Sequence, residues 1–176
     1  MAHRDIKLDN IIVKDDLDVA LIDFDLAEKR DDIRKVPARE VTLQGTKGYF
    51  PPELWLYEDL IAEDPNIVYD LTKSDTFSYG VMLFQLVTGL SPFEQAVETD
   101  GLYNLMGKGT KKSLDAFWSY LPEGCGLSSL QDEGVHFRDL IEKLLTPEPT
   151  ERLCIEEIKA HPWFTNYSPS TLAAKT

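Results

Sequence analysis

The sequence contains little cysteine and no long apolar stretch. Two cysteines, Cys125 and Cys154, occur in 176 residues, with no CxxC pair and no histidine at metal-ligand spacing beside either one. This argues against a disulfide framework and against a cysteine-based zinc site. No stretch approaches the roughly 18 apolar residues of a membrane span, and the N-terminus lacks a basic segment followed by an apolar one. We therefore expect a soluble intracellular protein in the cytoplasm, with the nucleus left open.

Positive charge is also scarce. The chain has 18 Lys and Arg against 31 Asp and Glu, which gives a net charge of -13 and an isoelectric point near 4.6. Such a chain is poorly suited to bind duplex nucleic acid or an anionic membrane, because both repel negative charge. A basic peptide would be a better partner. The length and the 43% hydrophobic content fit one globular domain.

Short β-branched runs near the N-terminus predict a hairpin. Residues 11–13 and 19–22 are IIV and VALI, and the polar sequence KDDLD between them predicts a turn at 14–18. The next segment, 23–53, is charged and interrupted by prolines and glycines. That composition predicts an ordered loop rather than a regular element, and loops of this length are usually functional or disordered.

One apolar stretch predicts a buried helix. In SDTFSYGVMLFQLVTG, residues 74–88 are expected to be helical, with Ser74 as N-cap and Gly89 just past the end. Apolar residues cover every face of this helix, which is the pattern of a helix enclosed by a domain. Because Gly or Pro residues divide the later sequence, further helices are expected at about 100–106, 114–120, 135–145 and 155–159.

The chain opens with a concentration of functional groups, HRDIKLDN at residues 3–10. This stretch offers the carboxylate of Asp5, the ammonium of Lys7 and the carboxamide of Asn10. A second carboxylate, Asp23, follows the predicted hairpin, which returns beside its own start. Because Mg²⁺ prefers oxygen ligands, Asp5, Asn10 and Asp23 could converge on this cation. Lys7 would then meet phosphate oxygens as a point charge.

These residues resemble the catalytic loop and metal-binding motif of eukaryotic protein kinases, H-R-D-x-x-x-x-N followed by D-F-G. Here the motifs are His3-Arg4-Asp5, Asn10 and Asp23-Phe24-Asp25. The resemblance continues in order along nearly the whole chain, through GTKGYFPPE at 45–53, DTFSYG at 75–80, Arg152 after LLTPEPTE, and HPWF at 161–164. A lone HRD would be a weak signal, but five landmarks at family-like intervals are a specific one.

The resemblance implies an α+β, mainly α fold, the large C-terminal lobe of a protein kinase. Its parts would be a small β-hairpin, an activation segment at 23–53 and a helical bundle around a buried helix. The lobe would occupy residues 1–164 and precede a flexible tail at 165–176. The small N-terminal lobe, with its glycine-rich loop, strand Lys and helix Glu, would be missing.

Residue by residue, the resemblance implies a protein serine/threonine kinase that transfers the γ-phosphoryl group of ATP. Asp5 would orient the substrate hydroxyl and accept its proton. Asn10 and Asp23 would hold Mg²⁺, and Lys7 would neutralise the γ-phosphate. A Lys two residues after the catalytic Asp, together with Thr46 before YFPPE, is typical of kinases that phosphorylate Ser and Thr rather than Tyr.

The implied partners are protein or peptide substrates with Ser or Thr, and Thr46 and Asp9 are expected at the substrate. Asp9 stands where kinases that prefer basic substrates often have Glu. Gln85, however, is neutral where such kinases often have a second Glu. A preference for Arg near the phosphorylated residue is therefore half supported.

The resemblance also implies residues for regulation and stability. Arg4 suggests a kinase switched by an upstream activating kinase, because a guanidinium pairs bidentately with a phosphate, and Thr42 is the expected acceptor. Glu53 and Arg152 would form a buried ion pair. Asp75 would accept hydrogen bonds from the backbone N–H groups of residues 3–5.

Three residues depart from the family pattern. Asp25 replaces the Gly of D-F-G and so alters a backbone hinge, while Leu8 replaces a frequent Pro and Phe77 a frequent Trp. The missing nucleotide lobe is the largest departure, since losing even one preorganised donor from such a site costs about 10²- to 10³-fold. We therefore expect that the isolated chain neither binds ATP tightly nor turns over.

Two alternatives remain. The chain could be a non-catalytic kinase-like remnant that binds substrates or regulators of a full kinase, which the missing lobe favours and the retained catalytic loop opposes. A small-molecule phosphotransferase is disfavoured by GTKGYFPPE, a peptide-substrate feature. Within the family, residues 91–121 resemble protist kinases near the calcium/calmodulin-dependent class.

Overall fold

Two small antiparallel sheets and eight α-helices occur in the part of the chain that the structure describes, residues 1–15, 18–130 and 133–166 of a computed structural model. The fold is mixed α/β and mainly helical, as the sequence predicts. The predicted flexible tail lies outside the described residues from residue 167 onward, and Thr165 is the last residue of the final helix.

The predicted hairpin is present. β1 (Ile11–Val13) pairs antiparallel with β2 (Val19–Leu21), and Ile11 lies opposite Leu21. β2 ends one residue earlier than expected. Two residues of the predicted turn, 16 and 17, lie outside the described residues.

The segment 23–53 is ordered by a small core. Within it, β3 (Val36–Pro37) pairs with β4 (Val68–Tyr69). The Tyr57 hydroxyl donates to the carbonyls of Ala38, at 2.8 Å, and Val41, at 2.9 Å. The core itself is formed by buried apolar side chains, namely Ile33, Val36, Ala38, Val41, Tyr69 and Leu71. The predicted loop is thus ordered but contains a strand and 3-10 turns, because it gains pairing and packing partners from distant parts of the chain.

The helices follow in the order α1 (Pro52–Trp55), α2 (Tyr57–Glu63), α3 (Leu71–Thr88), α4 (Gly101–Gly107), α5 (Lys111–Ser119), α6 (Glu133–Leu144), α7 (Ile155–Ala160) and α8 (Pro162–Thr165). The later helices agree with the sequence prediction to within three residues. The prediction missed α1, α2 and α8, whose short length gives no helical period. Among the described residues, no helix has both the length and the apolar content needed to cross a bilayer.

The buried helix α3 starts earlier than predicted. Its N-cap is Asp70, whose carboxylate accepts the backbone N–H of Thr72 at 2.9 Å. The prediction of Ser74 as N-cap was wrong: Ser74 lies inside the helix, and its hydroxyl donates to Glu53 at 3.3 Å. Asp and Ser are both favoured N-caps, so local sequence alone did not distinguish them. The C-terminus agrees, because Gly89 adopts the left-handed conformation with φ 74°.

α3 forms the centre of the main core. Phe77, Val81 and Phe84 are fully buried, and the apolar side chains of α6 pack beside them. The expectation that every face of this helix is covered was wrong at one residue, because Leu86 keeps 65% of its surface exposed. An all-apolar helix pattern therefore overestimated burial at the C-terminal turn.

Gly80 allows α3 to approach α6 closely. A Cβ at this position would lie 2.8 Å from the Cβ of Leu144 and 3.1 Å from the Cδ2 of Leu145. We expect Gly80→Ala to lower the free energy of unfolding by about 1–3 kcal/mol, because overpacking forces the helices apart. Urea denaturation measures this loss. Gly101→Ala is the control, since nothing lies within 4 Å of its added Cβ, and an equal loss in both variants would contradict the argument.

A buried histidine joins α6 to α8. The His161 Nε2 lies 2.8 Å from Asp139 Oδ2, and the Trp163 N–H donates to His161 Nδ1 at 3.3 Å. Burial alone would raise the pKa of Asp139, but hydrogen bonds with Lys143 and His161 outweigh it and lower this pKa. His161 is a packing and capping residue, in agreement with the sequence interpretation.

The Asp139 contacts predict a pH-dependent stability. Asp139→Asn should reduce the free energy of unfolding at pH 7 by roughly 0.2–1 kcal/mol, since this carboxylate is 44% exposed. A carboxylate with a lowered pKa stabilises the fold above its ordinary pKa and loses that contribution as the pH falls through the lowered value. The difference between the two proteins in urea melts should therefore shrink below pH 4. A difference that stayed constant with pH would contradict this assignment.

Candidate active site

A tight turn at residues 3–5 is anchored on the buried helix α3. The Asp75 carboxylate accepts the backbone N–H groups of His3, at 2.6 Å, and Arg4, at 2.8 Å. Arg4 adopts a left-handed conformation with φ 71°, which is uncommon for a residue with a Cβ. Burial raises the pKa of Asp75, and the two backbone donors act against that rise. The turn therefore has a fixed position relative to the main core.

The same turn contacts the segment that contains Asp23. The His3 ring lies 3.0 Å from the carbonyl oxygen of Ile22 through Nε2 and packs edge-on against Phe24. The Ile22 N–H donates to the carbonyl of Asn10 at 2.9 Å. Asp23 also has a left-handed backbone, with φ 62°. These contacts bring Asp23 back to the 3-10 turn Leu8–Asn10, as the hairpin geometry predicts.

Asp5, Lys7 and Thr46 form a closed triangle. The Lys7 ammonium lies 2.7 Å from Asp5 Oδ2 and donates to Thr46 Oγ1 at 2.9 Å. The Thr46 hydroxyl in turn donates to Asp5 Oδ1 at 2.7 Å. Burial would raise the pKa of Asp5, but hydrogen bonds from Lys7, Thr46 and the neighbouring amide hold it below its ordinary value. The carboxylate is therefore ionised at neutral pH.

Gly45 makes this triangle possible. It adopts φ 113°, and a Cβ there would lie 2.5 Å from the carbonyl oxygen of Arg4. Only glycine allows the chain to pass so close to the turn, and the next residue is Thr46. The sequence interval of 41 residues between Asp5 and Thr46 is closed at this contact.

Asn10 completes the buried part of the site. Its side-chain nitrogen donates to the Asp5 carbonyl at 2.8 Å and to Asp5 Oδ2 at 3.2 Å. This leaves its amide oxygen as the atom that could bind a cation. The Asp5 carboxylate, with smaller contributions from Asp9 and Asp23, raises the pKa of Lys7.

The donor set fits Mg²⁺ by its chemistry. Asn10 offers an amide oxygen and Asp23 an exposed carboxylate, and Mg²⁺ usually takes one or two protein oxygens and keeps water or phosphate as further ligands. Among the described residues, no three His, Cys, Asp or Glu side chains form a metal-binding group. A site built by the protein alone is therefore not indicated, and a cation shared with phosphate is the arrangement that these residues suit.

Arg4 points its side chain toward the segment after β3. Its Nη2 donates to the hydroxyl of Thr42 at 3.0 Å and also to the Thr42 carbonyl. Its Nη1 forms an ion pair with Glu28 at 3.1 Å. The sequence predicted the pairing of Arg4 with Thr42 but did not identify Glu28, which lies three residues after the DFD motif and has no local pattern to mark it.

Asp9 and Gln85 do not form one cluster of charge. Asp9 is exposed on the 3-10 turn beside Lys7. Gln85 lies at a groove next to Tyr49, accepts a hydrogen bond from the Tyr49 hydroxyl at 2.6 Å and donates to Ser91 at 2.9 Å. The sequence analysis missed Tyr49 and Ser91, because only the fold places them on either side of Gln85.

Glu53 and Arg152 form a bidentate ion pair. Arg152 Nη1 lies 2.9 Å from Glu53 Oε1, and Nη2 lies 3.0 Å from Oε2. The Arg152 side chain is 0% exposed and that of Glu53 is 8% exposed. This pair connects α1, which follows Thr46, to the loop before α7.

Comparison with known families gives the class of protein. Residues 1–164 match the protein kinase domain family. The match spans nearly the whole chain and begins at its first residue. The chain belongs to the protein kinase family.

Individual relatives are serine/threonine kinases by name. Serine/threonine-protein kinase PLK4 of Nematostella vectensis is 30% identical over 169 residues, which cover 96% of this chain and 14% of that protein. SNF-related serine/threonine-protein kinase of Rattus norvegicus is 31% identical over 176 residues, 97% of this chain and 19% of that protein. 3-phosphoinositide-dependent protein kinase 1 of Homo sapiens is 31% identical, with 99% and 27% covered. The chain thus spans at most 27% of the length of these three relatives.

Proposed function

We propose that this protein is a serine/threonine kinase that transfers the γ-phosphoryl group of ATP to Ser and Thr hydroxyls of protein substrates. The observation that supports this most strongly is the triangle of Asp5, Lys7 and Thr46. An ionised carboxylate beside a lysine is suited to accept a proton while a phosphate approaches. The described residues form the large lobe of such a kinase, with the activation segment at 23–53 and the lobe at 1–164.

Each residue of the site has a chemical task in this proposal. Asp5 orients the substrate hydroxyl and accepts its proton, and Thr46 holds both the Asp5 carboxylate and the Lys7 ammonium in place. Lys7 balances charge at the γ-phosphate. Asn10 and Asp23 would hold Mg²⁺, which when bound with ATP neutralises the charge that develops on the phosphoryl oxygens.

Substrates would lie along the groove beside Tyr49 and Gln85. Asp9 and Thr46 are the residues proposed to contact them, and the exposed Asp9 carboxylate suits a basic side chain. Thr42, which is exposed, is the proposed acceptor of a phosphate from an upstream kinase, with Arg4 as its partner. The two cysteines are unpaired, in keeping with a location inside the cell, which we propose to be the cytoplasm.

The test uses the protein as cells make it. An antibody against residues 23–53 would capture the endogenous protein for intact mass measurement and for assay with ATP, Mg²⁺ and matched Ser, Thr and Tyr peptides. We expect a mass above the 20.0 kDa of this chain and transfer to Ser and Thr but not to Tyr. A product of 20.0 kDa without transfer would refute the proposal and favour a role in binding substrates or regulators of another kinase.

A further inference from the structure

Glu28 is fixed in position by its backbone. It forms an isolated antiparallel bridge with Ala2, in which each residue donates to the other's carbonyl at 2.9 Å. Ala2 is buried at 1% exposure and directly precedes the anchored turn at residues 3–5. The Glu28 side chain, 15% exposed, therefore starts from a fixed point beside Arg4.

The Glu28 carboxylate is shared between two arginines. Its Oε2 lies 3.1 Å from Arg4 Nη1, and its Oε1 contacts Arg30 Nε. Arg30 in turn pairs with Glu40 through Nη1 at 2.5 Å. The Arg4 side chain is 11% exposed, so the Arg4 pair is the best shielded of these contacts, whereas Arg30 and Glu40 are 36% and 43% exposed.

Arg4 divides its donors between Glu28 and Thr42. One terminal nitrogen serves the carboxylate, and the other donates to the hydroxyl and carbonyl of Thr42. A phosphate on Thr42 would replace that hydroxyl hydrogen with a group of up to two negative charges. It would therefore enter beside a guanidinium whose charge Glu28 already neutralises, and like charges close to each other repel.

We propose that Glu28 is a positioning residue that serves as a built-in anion for Arg4. It holds Arg4, and with it the turn that contains Asp5, without any phosphate on Thr42. A phosphate on Thr42 gains the full charge of Arg4 only when Glu28 is removed. This inference concerns the regulation of the proposed active site and rests on the proposed function only in taking Thr42 as the phosphate acceptor.

The test measures the second pKa of a phosphate placed on Thr42. Phosphothreonine is introduced at position 42 during synthesis of the chain, and the ³¹P chemical shift is followed from pH 4 to pH 9. A phosphate that pairs with a free guanidinium favours its dianion, so its pKa falls. We expect a pKa near the ordinary value of about 6 in the parent chain. In Glu28→Gln it should fall by about one unit, a tenfold change in proton affinity.

Two control variants separate the effect of the Arg4 pair from general charge. Glu40→Gln removes an equal charge that contacts Arg30 alone, and it should leave the phosphate pKa unchanged. Glu28→Asp keeps the charge and should behave like the parent chain, which a purely structural role of Glu28 would not require. Circular dichroism melts establish that each variant is folded.

Three outcomes would overturn the inference. The phosphate pKa could already be low in the parent chain and unaffected by Glu28→Gln, which would mean that phosphate displaces Glu28 unaided. It could stay near 6 in both proteins, or Glu40→Gln could lower it as much as Glu28→Gln does. Because the phosphate is installed chemically, none of these results depends on catalysis. An inactive protein would refute the proposed function and leave this result standing.

Discussion

Arg152→Met is expected to lower the free energy of unfolding by about 3–5 kcal/mol, because it leaves the buried carboxylate of Glu53 without its partner. The guanidinium is fully used in the native state. Besides both oxygens of Glu53, it donates to three backbone carbonyls, those of Thr146 at 3.0 Å, Lys73 at 2.7 Å and Pro147 at 3.0 Å. Methionine has a similar length and no donor, so all of these acceptors lose their bonds.

Chemical denaturation at pH 7 measures this loss, and two further variants define its origin. Lys143→Met removes a cation from an exposed pair with Asp139 and should cost less than about 1 kcal/mol. The double variant Arg152→Met/Glu53→Gln should recover part of the loss, since the unpaired charge is gone. A loss below 1 kcal/mol in Arg152→Met would show that water reaches this pair.

Asp5→Asn should reduce phosphoryl transfer by the intact protein about 10²- to 10⁴-fold, the usual contribution of a positioned general base. The substitution keeps the size of the side chain and removes the charge that Lys7 and Thr46 hold in place. The lost rate corresponds to about 3–5 kcal/mol of transition-state stabilisation. Initial rates with saturating ATP and a Ser peptide measure it.

The control is Asp59→Asn, an exposed carboxylate on α2 away from the site, which should retain the parent rate. Thermal melts of both variants would exclude unfolding as the cause. A rate within threefold of the parent protein in Asp5→Asn would contradict the role proposed for this carboxylate.

Much of the fold follows from local sequence. The hairpin was predicted because β-branched runs flank a polar turn, and the end of α3 because Gly89 permits a left-handed residue. The start of α3 was not, since Asp70 and Ser74 are both acceptable caps. α1 and α8 begin at prolines and have four residues each, so no periodic pattern marks them.

The site shows the opposite balance. The triangle of Asp5, Lys7 and Thr46 was predicted through family motifs, although its members are up to 41 residues apart. Glu28 was not, because its importance depends on a single bridge to Ala2 and on the direction of the Arg4 side chain. No motif records such contacts, and they appear only when the chain is folded.

Asp75 accepts the N–H groups of His3 and Arg4 from within the most buried helix of the fold. Amide hydrogens bonded to such a helix exchange with solvent only when the cooperative unit that contains the helix opens. The catalytic turn and the hydrophobic core are therefore one unit of local stability. Motions of the exposed segment around Thr42 can occur without disturbing Asp5, so the site separates a rigid proton acceptor from a surface that is free to respond to modification.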